Sequence, residues 1–187
     1  MASSILTTLF MSTILFSFSS KNIVTSSSSL IGEACSKTLE PKICFQFLQS
    51  QPQVVSARNL DNLATGILKS GTSNVTKTFK YLEKSLNKPG IAPNVKAALL
   101  ECKASYDNVI GTFGNAIKGV KKHDLSSGTA TYDLHVACFD YMQPCIDAVA
   151  SAKINDETIL YGNNAAQLFG SYASVVIEKL EKLEKID

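Results

Sequence analysis

Five cysteines and two histidines are the residues of this 187-residue chain best equipped for chemistry. His135 and Cys138 stand three apart, with Cys145 seven further on, a grouping that invites a metal or a thiolate–imidazole pair. Zinc sites draw their ligands from closely repeated Cys and His pairs, and this spacing matches none of them. His123 lies among lysines in a polar link, and His135 reads as a surface or hydrogen-bonded helix residue rather than an acid–base group. There is no Gly-x-Ser-x-Gly and no glycine-rich phosphate cradle. The sixteen carboxylates alternate with lysines, as they do on solvated helix faces. The sequence therefore predicts no catalytic residue, no metal and no cofactor: this is not an enzyme.

The cysteines read better as cross-links. Ile5 to Phe18 is an apolar run that would span about 21 Å as a helix, short of a bilayer core of about 30 Å. Serines follow at Ser19–Ser20 and Ser26–Ser29, so residues 1–29 read as a signal peptide and serine-rich leader, cut between about 20 and 30. In an exported chain, five cysteines imply bridges and one spare thiol. Asn74-Val75-Thr76 is then an N-glycosylation sequon. A net charge of +2, evenly spread, argues against nucleic acid or an anionic membrane as partner.

Helices must position these residues. Val95, Leu99, Cys102, Tyr106, Val109 and Phe113 recur at steps of four and three, the seam of a buried helix that begins near Pro93 and runs to about Gly119. Before it, Val54 to Leu86 reads as one long helix, weakened and kinked around Gly66 and Gly71. Two short helices between Gly32 and Ser50, interrupted at Pro41, form a hairpin that brings Cys35 and Cys44 together. Closing that small loop contributes roughly 2.5–3 kcal/mol. After the link Lys121–Asp124, a fourth helix holds Leu134, Cys138, Tyr141 and Cys145, and Ala148 to Asn155 connects it to the last. The last helix, capped by Asn155 or Asp156, has its seam at Tyr161, Ala165, Leu168, Tyr172, Val175, Leu180 and Leu183. No segment sustains two-residue alternation. The fold class is all-α: an up-down-up-down four-helix bundle over residues 54–187, preceded by an N-terminal helical hairpin over 30–53. Cys102 and Cys138 lie on seams of neighbouring helices, where a bridge would close about 37 residues and contribute about 4 kcal/mol. Cys138 and Cys145 would stand about 10 Å apart on one helix, leaving Cys145 as the free thiol.

Cys35-x8-Cys44, Cys102-x3-Tyr106, Gly119 with its basic link and Cys138-x-Asp140, taken in order, resemble the plant invertase and pectin methylesterase inhibitor family over about Gly32 to Leu183. The resemblance implies a hairpin and four-helix bundle with bridges Cys35–Cys44 and Cys102–Cys138. It implies a secreted protein of the apoplast, or alternatively the vacuole, that blocks a carbohydrate enzyme one-to-one by covering its active-site cleft. Invertase-directed members carry Pro-Lys-Phe in the link before the fourth helix. Gly119-Val120-Lys121-Lys122-His123 has the lysine without the proline or phenylalanine, which favours pectin methylesterase, with invertase as the alternative. The sequence before Cys138, Leu134-His135-Val136-Ala137, departs from the small residues and threonine usual there. Lys118, Lys121, Lys122 and His123 are the expected target contacts. A secreted ligand carrier or structural bundle is the reading from a different class.

Overall fold

A computed structural model describes residues 26–125 and 127–186, and all of the predicted leader 1–29 except its last four residues lies outside them. Among the described residues eight α-helices follow in order: α1 (Ser27–Cys35), α2 (Pro41–Gln49), α3 (Pro52–Val55), α4 (Leu60–Leu86), α5 (Pro93–Lys122), α6 (Ala130–His135), α7 (Gln143–Ser151) and α8 (Glu157–Glu184). A π-helical turn, Val136–Asp140, joins α6 to α7. Among the described residues there is no strand. α4 packs on α5 and α8, α5 packs on α7, and α6 returns to α8, which closes a four-membered ring of antiparallel rods. The fold is the predicted bundle with its hairpin.

The predicted α5 seam is correct in phase: Leu99, Cys102, Tyr106, Val109 and Phe113 are all buried. Elsewhere the elements are cut differently. α1 starts at Ser27, so the serines read as linker belong to a helix, with Ser26 as its cap. The long second element is two helices, because Asn59 caps α4 and leaves α3 as a separate turn. Gly66 and Gly71 sit inside an unbroken, buried stretch of α4 and mark close crossings rather than a kink. The connector Ala148–Asn155 is helical as far as Ser151.

The predicted seam of α8 is right at Ala165, Tyr172 and Leu180, which are buried, and wrong at its two ends. Tyr161 and Leu183 are exposed, whereas Ile159, Ala166, Phe169, Ala173 and Val176 face the core. Glycine and alanine form much of this face, so helices approach closely. Phe47 of α2 packs edge-on against Phe169 at 4.9 Å and Tyr172 at 5.7 Å, which fixes the hairpin to the bundle.

The bridges differ from expectation at one position. Cys35 is joined to Cys44 across the α1–α2 hairpin, with Cα atoms 5.5 Å apart. Cys102 is joined to Cys145, not to Cys138, and Cys138 is the free, buried thiol. The predicted Cys102–Cys138 pair and free Cys145 are therefore corrected. The reason is the π turn. Its extra residue re-phases the rod, and Met142, not Tyr141, continues the buried face. Cys138 is left against Gly170 of α8, while Cys145, on the restarted α7, meets α5.

Tyr106, four residues after Cys102, supplies the polar centre of the core. It is fully buried, and its hydroxyl donates to Asn163 Oδ1 at 2.9 Å. Burial raises its pKa, so the hydroxyl remains a donor. Gly162 makes room, since a Cβ there would stand 2.4 Å from both the Tyr106 hydroxyl and Thr78 Oγ1. Tyr106→Phe is expected to cost roughly 1–3 kcal/mol, because Asn163 would be left buried without its donor. Urea denaturation measures this, and an unchanged midpoint would refute the assignment.

Candidate docking surface

The sequence-predicted contacts gather where α5 ends. Lys118, Lys121, Lys122 and His123 are all exposed. Lys121 and Lys122 stand in the last turn, where cations complement the negative end of the helix. His123 then adopts a left-handed conformation (φ 51°), a position more often given to glycine. The turn is closed by Asp124 N–H donating to the Gly119 carbonyl at 3.1 Å and His123 N–H to that of Val120 at 3.3 Å. These bonds use carbonyls that a helix end would otherwise leave open.

The segment that follows is tied down from α8. Leu125 is buried, and its N–H donates to the Glu184 carboxylate at 2.7 Å. Glu181, itself buried, accepts from Thr131 N–H and from Thr131 Oγ1, each at 3.0 Å, and so holds the first turn of α6. Sequence reasoning missed both carboxylates. They lie among alternating lysines, and nothing local separates an inward-facing glutamate from a solvated one. The result is a cationic corner on a fixed backbone, which can meet a carboxylate-bearing surface without first being ordered. Among the described residues, none of its charged side chains has an ion-pair partner.

The other singled-out residues lie elsewhere. Asn74 is half-buried midway along α4, far in sequence from the corner. His135 is exposed and stacks at a tilt on Phe139, 4.9 Å between centroids. Cys138 packs against Gly170, and burial pushes its thiol pKa up to about 12, so it is not a nucleophile at neutral pH. Among the described residues, no group of three or more His, Cys, Asp and Glu could hold a metal ion. No helix among them is long and apolar enough to cross a membrane.

Comparison with known proteins places the chain by sequence and by fold. Residues 29–177 match the family model described as plant invertase/pectin methylesterase inhibitor. The chain is 25% identical to pectinesterase inhibitor 1 of Arabidopsis thaliana over 97% of its own length and 99% of that protein. It is 28% identical to a pectinesterase inhibitor of Actinidia deliciosa over 59% of its length and 61% of that protein. Among solved structures, a mutant form of a pectin methylesterase inhibitor from Arabidopsis superposes with a TM-score of 0.67 at 26% identity, over 82% of this chain and 96% of that one. A second pectin methylesterase inhibitor structure, from Arabidopsis thaliana, gives 0.60 at 26% identity, over 82% and 97%.

Proposed function

This chain belongs to the plant invertase/pectin methylesterase inhibitor family, and from that premise we propose that it is a secreted inhibitor of pectin methylesterase. It acts without catalysis, one molecule per enzyme, by covering the active-site cleft. The observation that carries the choice of enzyme is full-length similarity to a protein named a pectinesterase inhibitor, with a second relative of the same name. The missing Pro-Lys-Phe in the α5–α6 link weighs in the same direction. The packed core, with Tyr106, Phe113 and Phe169 almost fully buried, favours an outer-surface role over carriage of a ligand within the bundle.

The cationic corner is the proposed point of contact. Charges at the rim of an interface steer encounter and set salt dependence more than they set total affinity. Titrating the purified protein against both enzymes at mildly acidic pH tests the function. Methylesterase activity is expected to reach its floor at one equivalent, with invertase unaffected, and failure to inhibit either enzyme would end the reading. Lys121→Glu/Lys122→Glu is expected to weaken methylesterase inhibition about tenfold at low salt and less at high salt. An unchanged titration curve for that folded variant would move the contact away from the corner.

A further inference from the structure

One face of α4 has a charge and polarity that the inhibitory corner does not use. From Asn62 to Lys80 the helix contains no aspartate or glutamate, although it carries Lys69, Lys77 and Lys80. Those lysines are exposed and recur with Asn62, Thr65 and Thr76 at helical spacing, so they share one strip. The strip lies between walls. On one side stands α3, whose Gln53 carbonyl oxygen would be only 2.6 Å from a Cβ at Gly66, so that the short helix rests directly on α4. Ile117 of α5 forms the other side. Two adjoining hollows, which share Gln53 and Lys69, make a continuous trough. The eighteen residue-to-residue rises from Asn62 to Lys80 give it a length of about 27 Å.

Apart from Ile117 and Gly66, the lining consists of hydroxyls, amides and ammonium groups, with no carboxylate among them. None of the three lysines forms an ion pair among the described residues. No aromatic ring lines the trough, so it lacks the anchors of a protein hot spot and the stacking platforms of a single-stranded nucleic-acid site. It is long and shallow, unlike a small-molecule cleft. The ligand that complements it is an extended polymer presenting hydroxyls along its length and carboxylates at intervals.

We propose that the α4 trough binds a polyuronate chain, the de-esterified stretch of polymer that a pectin methylesterase produces. The choice of polymer rests on the inhibitor reading above, whereas the polyanion chemistry rests on the trough itself. Lysine ammonium groups take the carboxylates, and the Thr, Ser, Asn and Gln side chains take the sugar hydroxyls. Holding the inhibitor on its target's product would raise its effective concentration where the enzyme works.

Calorimetry with a de-esterified oligogalacturonate and its methyl ester of equal length tests this. The acid form is expected to bind, more weakly as salt is raised, and at least about tenfold more tightly than the ester. Lys69→Gln/Lys77→Gln/Lys80→Gln is expected to lower affinity for the acid form at least about tenfold, with an unchanged melting temperature. Complex formation with methylesterase, read by size exclusion without polymer, is expected to stay as in the wild type. Equal binding of acid and ester, binding of neither, or full retention by the triple variant would each overturn the proposal. So would a triple variant that no longer forms the enzyme complex, because the trough would then be an enzyme contact. A wild-type protein that binds the acid oligomer but forms no enzyme complex would uphold the trough and remove the inhibitor reading alone.

Discussion

Removing the α5–α7 bridge by Cys102→Ala/Cys145→Ala is expected to destabilise the protein by about 4 kcal/mol, the loop-closure contribution of a separation of 43 residues. Changing both residues matters, because a lone Cys102 could recruit Cys138 and mask the loss. Cys138→Ala is expected to cost only about 1 kcal/mol, since it removes one buried sulfur and no cross-link. Chemical denaturation compares the two variants. Peptide mapping of the oxidised wild type provides the independent readout: a Cys102–Cys145 linked pair with Cys138 unmodified. Burial raises the Cys138 pKa to about 12, so the thiol stays protonated and shielded at pH 8 and alkylates only after unfolding. A stability order in which Cys138→Ala is the damaging change would restore the pairing predicted from sequence.

Gly170→Ala is expected to cost about 3 kcal/mol, at the upper end of what one added methyl does in a packed core. The new carbon would lie 2.1 Å from Cys138 Sγ and 2.7 Å from its Cβ, and neither belongs to a flexible chain end that can swing aside. The effect is one of space, not helix propensity. Gly111, mid-helix in α5, has nothing within 4 Å of the same position, so Gly111→Ala is expected to gain up to about 1 kcal/mol. Adding Cys138→Ala to Gly170→Ala is expected to recover part of the loss, because only the sulfur is removed. Urea midpoints for the four variants form the comparison. Equal effects of the two glycine changes would contradict the close crossing of α8 and the π turn.

What the sequence disclosed follows from where its signal is strongest. The α5 seam stood out because large apolar residues repeat without interruption from Leu99 to Phe113, and each is buried. α8 is placed correctly at Ala165, Tyr172 and Leu180 and missed on the rest of its buried face. Its inner face is built of Gly162, Ala165, Ala166, Gly170 and Ala173, which contribute little hydrophobicity, while exposed Tyr161 and Leu183 drew the seam toward themselves. The fourth rod failed for a different reason. A π turn adds a residue per turn that no uniform periodicity anticipates, and Pro144 then restarts the helix. A signal for the bridge was present nonetheless. Cys-x-Asp occurs twice, at Cys138-Phe139-Asp140 and Cys145-Ile146-Asp147, and the second holds the bridged cysteine. The cationic corner was legible as charge but not as shape, because its rigidity comes from Glu181 and Glu184, 50 and 59 residues beyond the groups they hold.

The beginning of α1 is also sensitive to where the chain is cut. Ser26 caps the helix with its side chain, and its carbonyl accepts from Ser29 and Leu30 N–H at 2.9 and 3.2 Å. Leu30 and Ile31 directly behind it are buried. A peptidase cutting after Ser26 would discard the cap and set a fresh ammonium against the positive end of the helix. A cut after Leu30 would also take apolar packing from the hairpin. A cut that leaves Ser26 on the chain keeps the cap, so the position of a scissile bond near this helix bears directly on stability.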